Sequence, residues 1–210
     1  MLPREFYLRP ALEAAPELLG KLLVHETAEG LTAGRIVEVE AYVGPEDDGA
    51  HSFGARRTAR TAIQYGPGGF AYVFGLYGMH WCFNVVTAPE ERPEVVLVRA
   101  LEPVRGLALM QKRRGTEREE LLCSGPGRLC QAMGITKAQY GLDLCRGPLY
   151  LEDGERIPPE RIALSPRVNI DYAQGYKDRL WRYFIRDNPH VSRVPSRYRA
   201  GTTLSETKDT

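Results

Sequence analysis

Features typical of membrane, secreted and disulfide-built proteins are missing from this chain. It has only four cysteines in 210 residues, and none in a CxxC spacing, which predicts reduced thiols rather than a disulfide scaffold. No apolar run approaches the roughly 20 residues that span a bilayer. Residues 1–6 lack the basic-then-apolar order of a secretory signal. We therefore expect a cytoplasmic protein without a metal; the alternative is a zinc site built from the cysteines and the four histidines.

Charge is nearly balanced overall but is unevenly distributed. The formal net charge is +1, yet ten basic residues face five acidic ones from residue 161 onward. Such a region either contacts phosphates or forms a solvated surface with a basic tail, and charge alone does not separate the two. With no internal repeat and no evident linker, the chain is predicted to form one domain over residues 1–199, followed by a disordered tail over residues 200–210.

Local patterns predict strands that pair close in sequence. Residues 35–43 alternate in polarity as a half-buried strand does, and residues 70–87 have the pattern of a β-hairpin that turns at or near Tyr77-Gly78. Residues 44–69 read as a long loop. Further strands are predicted at residues 21–25, 94–100, 149–151 and 181–186, and helices at residues 10–19, 103–114 and 129–133. The prediction is an α+β fold: a single domain with a mostly antiparallel curved sheet, helices at its margins and a protruding β-hairpin.

The strand at residues 35–43 carries the first candidate for chemistry. Glu38, Glu40 and Tyr42 share one of its faces, opposite an apolar face. The pattern alone favours a solvated outer face of an edge strand. The alternative is a buried carboxylate at Glu40, kept for its charge. His51 follows in the acidic loop and is either a structural or exposed histidine, or part of a pocket.

Two further segments have residues suited to nucleic acids. Tyr77 lies at the hairpin tip, where an aromatic side chain either folds back onto the core or wedges between stacked bases. Asn84, within an otherwise apolar strand, needs partners for its amide. The turn from Ser124 through Gly125 to Arg128 offers backbone N–H groups and a guanidinium, a combination that can hold a phosphate.

Several stretches together resemble the alkyladenine (3-methyladenine) DNA glycosylase family. The most specific is Ile36 to Asp47, which contains Glu-Ala-Tyr-Val-Gly-Pro-Glu-Asp, followed by Ala-His-Ser at residues 50–52. The other matches are Leu19-Gly-Lys-Leu-Leu23, Tyr77-Gly-Met79 with Asn84, Val98-Arg-Ala-Leu-Glu-Pro103 and Cys123-Ser-Gly-Pro126. These stretches follow the family's order along nearly the whole chain.

The resemblance implies a role for each matching residue. Glu40 is implied as the general base for the attacking water, and Arg99 as a support for that water and for the flipped nucleotide. Tyr42, His51 and Phe74 are implied as walls of the base pocket, with Asn84 as the selectivity residue. The intercalating side chain is implied to be Tyr77. Contacts with DNA are further expected from Met79, Ser124, Gly125 and Arg128.

The chain departs from the family's pattern at three places, one of which is His80, which follows Met79 where bulkier aromatics also occur. Phe74 lacks the hydroxyl that many relatives have there, so stacking is kept and a hydrogen bond is lost. The loop Phe53 to Tyr65, and especially Thr58-Ala-Arg-Thr61, differs from the usual threonine–arginine–asparagine pattern. Contacts that the family makes through this loop are not carried over.

The function implied is a monofunctional DNA glycosylase that acts as a monomer on double-stranded DNA containing damaged purines. Neither a cofactor, a metal nor a membrane is expected. No lysine occupies a matching catalytic position, so a strand-cleaving activity through a Schiff base is not expected. Two alternatives remain: a relative that binds lesions without cleaving, and a hydrolase of free nucleosides.

Overall fold

One antiparallel sheet with helices around it forms the fold. The computed structural model describes residues 1–76, 78–199 and 201–207. Within them, the strands are β1 (Leu22–Thr27), β2 (Gly30–Tyr42), β3 (Ala71–Leu76), β4 (His80–Thr87), β5 (Glu94–Arg105), β6 (Leu149–Glu152), β7 (Ile162–Ser165) and β8 (Arg182–Ile185). The helices are α1 (Arg4–Tyr7), α2 (Ala11–Leu18), α3 (Leu107–Arg114), α4 (Pro126–Met133) and α5 (Ser196–Arg199). The predicted α+β class is confirmed.

The long strand β2 lies in the interior of the sheet. The strand order is β3-β4-β5-β2-β1-β6, and β8 also pairs with β2 and with β7. Residues 30–35 of β2 pair with β1, residues 38–40 pair with β8, and β5 runs along the other edge. The predicted edge strand is therefore wrong, because β8, distant in sequence, covers the edge beyond β1.

The two faces of the sheet differ in what they bury. Val37, Val39 and Ala41 of β2 point into the main apolar core, where α2 packs on β2 and α4 on β4. Each fully buried aliphatic side chain in such a core contributes about 1.5–3 kcal/mol. On the opposite face, a smaller cluster of Tyr72 and its apolar neighbours lies beside the polar side chains of β2.

The hairpin of β3 and β4 has the predicted arms, and the structure adds the register, which the sequence pattern left open. Tyr72 pairs with Asn84, Phe74 with Cys82, and Leu76 with His80. These pairs place the side chains of both arms on a common face, as the alternation in the sequence indicated.

The predicted helix from residue 103 is wrong over its first four residues. Pro103 instead continues β5, beyond the residues 94–97 that pair with β4. Helix α3 starts only after Gly106, whose φ is +76°. A Cβ at Gly106 would lie 2.2 Å from the carbonyl oxygen of Leu31, so this sharp turn between strand and helix requires glycine.

The chain after residue 200 was expected to be disordered. In its described part, Leu164 donates a backbone hydrogen bond to Thr202, and Leu204 donates one to Ile162. Residues 202–204 therefore lie along β7. The division into a domain of residues 1–199 and a separate tail stays a prediction. In the described part of the chain, every helix falls short of the length and apolarity needed to cross a membrane.

Candidate active site

Glu40 is fully buried, on the face of the sheet opposite the main core. The solvated outer face that its sequence pattern favoured is therefore wrong. The pairing of β2 with both β5 and β8 closes its edges, and the irregular segment before β8 covers its face. A buried carboxylate is costly without donors, so its partners decide what it can do.

Three groups hold the Glu40 carboxylate. The backbone N–H of Val168 donates to Oε1 at 2.7 Å, and the hydroxyl of Tyr42 donates to Oε2 at 3.0 Å. The guanidinium of Arg99 lies 3.3 Å from Oε1. A carboxylate oriented in this way is placed to accept a proton or to stabilise a neighbouring positive charge.

Arg99 reaches both acidic residues of β2 because the strand register shifts beside it. Arg99 lies between the pairs Glu38–Ala100 and Val39–Val98, at an irregularity of the ladder. Such irregularities re-aim side chains, often next to active sites. The Nε of Arg99 donates to Glu38 at 2.7 Å, while its Nη1 faces Glu40. Burial by itself lowers the pKa of Arg99, but the negative charges of Glu40 and Glu38 raise it by more than burial lowers it. The guanidinium therefore stays charged.

Glu38 is enclosed by its own set of donors. Its Oε1 accepts from Arg99, from Nε of Arg182 at 2.8 Å and from Oγ of Ser192 at 2.8 Å, and its Oε2 accepts from the backbone of Ser192 at 2.7 Å. Burial raises the pKa of Glu38, but Arg99 and Arg182 outweigh that effect and lower it. Glu38 is thus an ionised anchor for Arg99.

Aromatic side chains gather beside Glu40. Tyr42 and Phe74, both half-buried, pack against the Tyr72 cluster, and the ring centroids of His51 and Phe74 are 4.6 Å apart. Burial, and next the Glu40 carboxylate, raise the pKa of Tyr42, so its hydroxyl stays protonated and keeps donating. The predicted pocket walls are therefore brought together around one aromatic cluster.

His51 is neutral near pH 7. Burial, reinforced by the Arg60 guanidinium, lowers the pKa of His51 from 6.5 to about 4. Its Nδ1 lies 2.6 Å from the hydroxyl of Tyr72, whose pKa is raised by burial and which therefore stays protonated. Because Gln64 also bonds the Tyr72 side chain, we assign the Tyr72 hydroxyl as donor to Nδ1, which leaves the His51 proton on Nε2.

Asn84 lies in the same cross-strand row as Glu40. Asn84 pairs with Leu97 of β5, and Leu97 pairs with Glu40 of β2, so the three side chains share a face. Two strand spacings separate Asn84 from Glu40, or roughly 10 Å. The Asn84 amide is buried and donates to the carbonyl of Tyr72 at 3.0 Å, which supplies the partner that its sequence context demanded.

A cavity of about 610 Å³ opens beside His51. The loop that departs from the family's pattern forms much of its wall, including Arg56, Arg60 and the half-exposed Phe53. The Arg60 guanidinium lies 5.9 Å from the Phe74 ring centroid. This loop therefore lies at the aromatic cluster, although its contacts could not be assigned from the family resemblance.

The predicted DNA-contact residues lie around the end of the hairpin. Met79 is 77% exposed there, and His80 packs against Gly127 of α4. Nη1 of Arg128 donates to Oγ of Ser124 at 3.1 Å, and Gly125 has a φ of +136° just before the helix. The predicted intercalating residue, Tyr77, lies outside the described residues.

Sequence patterns missed a second buried ion pair beside the site. Arg167 donates to both oxygens of Asp47, at 2.5 and 2.7 Å, and both side chains are fully buried. The neighbouring Asp48 accepts backbone N–H groups from residues 174–176. The only sequence signal was the adjacency of the two aspartates, while Arg167 lies 120 residues away. In the part of the chain that the structure describes, no group of three or more histidine, cysteine or acidic side chains is arranged to hold a metal ion.

Comparison with known proteins identifies the family of the chain. The family model "Methylpurine-DNA glycosylase (MPG)" matches residues 5–189. A Clostridium novyi protein named "Putative 3-methyladenine DNA glycosylase" is 46% identical over 200 residues, covering 91% of this chain and 98% of its own length. Proteins of the same name from Clostridium acetobutylicum and Bacillus licheniformis are 47% and 46% identical, again over 91% of this chain and over 97% and 96% of their own lengths. The chain belongs to the methylpurine-DNA glycosylase family, which confirms the resemblance seen in the sequence.

Proposed function

We propose that the protein is a monofunctional DNA glycosylase of base excision repair. It flips alkylated or deaminated purines (3-methyladenine, 7-methylguanine, hypoxanthine and ethenoadenine) out of duplex DNA. It then hydrolyses the N-glycosylic bond with a water activated by Glu40, acting as a monomer in the cytoplasm. The observation that carries the proposal is a buried Glu40 carboxylate, held by Arg99 and Tyr42, beside a cluster of aromatic rings.

Glu40 has the properties that this hydrolysis requires. Breaking the glycosylic bond develops positive charge on the sugar, and a fixed carboxylate next to C1′ stabilises that charge. The same carboxylate accepts the proton of the attacking water. Glu40 makes two hydrogen bonds and one ion pair, fewer than the roughly four that a carboxylate accepts, so it retains capacity for a water.

The aromatic walls suit an extruded purine. Alkylated purines are electron-poor and often cationic, and such rings stack well on Tyr42 and Phe74. The neutral His51 offers an N–H on its Nε2 to an acceptor on the base. A damaged base also pairs and stacks less well in the duplex, so flipping it costs less.

Selectivity and capture are assigned to two residues of the hairpin. Asn84 rejects guanine by a clash with its exocyclic amine, which protects undamaged DNA. Tyr77 fills the space that the flipped nucleotide leaves. We expect Tyr77→Ala to capture the flipped state less well. The measurement is the enzyme concentration for half-maximal base release, which should rise. An unchanged concentration would exclude this role for Tyr77.

Strand cleavage is not part of the proposed activity. A Schiff base needs an amine nucleophile at the sugar, and the groups that hold Glu40 in the described residues are a guanidinium, a phenol and a backbone N–H. The product is therefore an abasic site in an intact strand.

The test is incubation with a duplex that carries a single hypoxanthine or 3-methyladenine. Micromolar enzyme should produce abasic sites that break only after alkali treatment. If no abasic product forms, the glycosylase activity is excluded and the alternative of a protein that binds lesions without cleaving remains. Added salt distinguishes this glycosylase from a hydrolase of free nucleosides. Binding to duplex weakens steeply with salt, whereas hydrolysis of a free nucleoside hardly changes.

A further inference from the structure

We infer that the buried Asp47–Arg167 pair is a positioning element for the catalytic carboxylate, Glu40. The inference rests on the proposed function, since it concerns the orientation of that carboxylate during hydrolysis. Both members of the pair lie outside the residues to which the family resemblance gave a role. Neither touches the Glu40 carboxylate; each acts through groups that do.

Arg167 is fixed from several directions. Its two terminal nitrogens make a fork to Asp47, and Nη1 also donates to the carbonyl of Ala41 at 3.1 Å. Its guanidinium lies 4.4 Å from the ring centroid of Tyr42 and 5.1 Å from that of Trp181. A planar guanidinium with two bonds to one carboxylate has a defined orientation, which a lysine ammonium would not have.

Two of the three groups that hold Glu40 depend directly on Arg167. Tyr42, whose ring stacks under the guanidinium, donates its hydroxyl to one Glu40 oxygen. Val168, the next residue in the chain, donates its backbone N–H to the other oxygen. The bond from Arg167 to Ala41 ties the same unit to β2 between Glu40 and Tyr42. Arg167 therefore sets the positions of donors on both sides of the carboxylate.

Energetics favour a positioning role over a stabilising one. A buried ion pair often contributes less than apolar residues of the same volume, because both charges lose their hydration. Other contacts already attach the loop at residues 44–50 to the segment before β8. Asp48 accepts three backbone N–H groups there, and Tyr172 donates to the carbonyl of Gly49 at 2.9 Å. The Asp47–Arg167 pair adds orientation to a segment that is already attached.

Arg4 offers a matched control elsewhere in the fold. Like Arg167, it bonds an aspartate (Asp143 at 2.6 Å) and a backbone carbonyl (Gly68 at 2.7 Å). Its guanidinium also lies 4.7 Å from an aromatic ring, that of Phe70. The Arg4 pair makes no contact with Glu40 or its donors.

The experiment compares Arg167→Met combined with Asp47→Asn against Arg4→Met combined with Asp143→Asn. Each double change removes both charges, so neither leaves an unpaired buried charge. Single-turnover base release from an ethenoadenine duplex is measured against enzyme concentration and pH. We expect the maximal rate of the Arg167 variant to fall about 100-fold, the loss typical of a misplacement of about 1 Å. Its half-saturating concentration should stay near that of the wild type.

Two further readouts separate positioning from stability. Because the double change removes one positive and one negative charge, the acidic limb of the rate–pH profile should keep its position while the rate falls. Arg167→Lys, which keeps the charge without the fork, should recover part of the rate. If the double variant does not fold, the lysine variant decides alone: a lower maximal rate at an unchanged half-saturating concentration supports the inference, and the wild-type rate overturns it.

Three results would overturn the inference. These are a folded Arg167 variant with the wild-type rate, a loss of affinity as large as the loss of rate, or an equal loss of rate in the Arg4 control. Failure of the proposed function is seen separately, as a wild-type protein that releases no base from the same duplex.

Discussion

Two neighbouring regions of β2 bury the same chemical group in opposite circumstances. Glu38 and Glu40 lie two residues apart on one face, both fully buried and both within reach of Arg99. Around Glu38, the side chains of Arg99, Arg182 and Ser192 and one backbone N–H occupy its acceptor positions. Around Glu40, two hydrogen bonds and the edge of Arg99 leave acceptor capacity beside aromatic rings.

This difference distinguishes an acidic residue suited to a structural role from one suited to a catalytic role on the same strand. A carboxylate whose lone pairs are saturated stabilises its partners but has no capacity for a water or a sugar cation. A carboxylate with remaining capacity can do both. We therefore assign Glu38 to holding Arg99 in place, and Glu40 to the reaction.

The largest effect is expected at Glu40. Glu40→Gln keeps the shape and the hydrogen-bonding oxygen but removes the negative charge, so base release should fall roughly 10⁴-fold, the upper range for a general base. Binding to lesion duplex should persist. Single-turnover kinetics and a binding titration on the same duplex measure both; near-normal turnover would exclude Glu40 as the base.

The second effect is expected at Glu38, and on stability. Glu38→Gln leaves the buried Arg182 without its counter-charge and Arg99 with Glu40 alone, which should lower the free energy of unfolding by about 3 kcal/mol. Urea unfolding measures the change. If Glu38→Gln unfolded like the wild type yet lost base release as Glu40→Gln does, the two roles would have to be exchanged.

A smaller effect is expected at Asn84, in the row shared with Glu40. Asn84→Ser removes the amide that the proposed function uses against guanine, so the preference for hypoxanthine over guanine should fall about 10- to 100-fold. Excision from matched duplexes that carry either base measures the ratio. An unchanged ratio would assign selectivity to another wall of the pocket.

The last effect develops gradually with pH and concerns the stability of the protein in acid. Burial holds the pKa of His51 at about 4, below the 6.5 of an unfolded chain. Between these values the unfolded chain binds more protons, so stability is lost as pH falls from 6.5 toward 4 and is constant above 6.5. The difference in unfolding free energy between wild type and His51→Gln should shrink over that range. A difference that does not depend on pH would show that His51 titrates normally.

Much of the fold could be predicted from local sequence patterns. The two arms of the hairpin and the strand at residues 35–43 follow from alternation of side chains, which is a property of neighbouring residues. The register of the hairpin and the interior place of that strand do not follow from it. The first turn of the helix after β5 was misplaced because Pro103 is a common helix start, whereas the turn at Gly106 is dictated by the distant carbonyl of Leu31.

In the candidate site, too, features set by neighbouring residues could be predicted and features set by distant residues could not. Glu40, Tyr42 and His51 lie in one motif, so the family resemblance could name them as candidates from the sequence alone. Burial of Glu40 could not, because it depends on β8 and on Val168, more than 100 residues away. The ion pair of Asp47 with Arg167 could not be predicted for the same reason, since the two residues are 120 positions apart.

A structure of the Glu40→Gln protein bound to an ethenoadenine duplex tests the assignment of the two acidic residues most directly. The damaged base should lie against Tyr42 and Phe74, with its C1′ facing the side chain at position 40 at a distance that one water can bridge. A base that remains stacked in the duplex, or a C1′ that faces Glu38 instead, would contradict it.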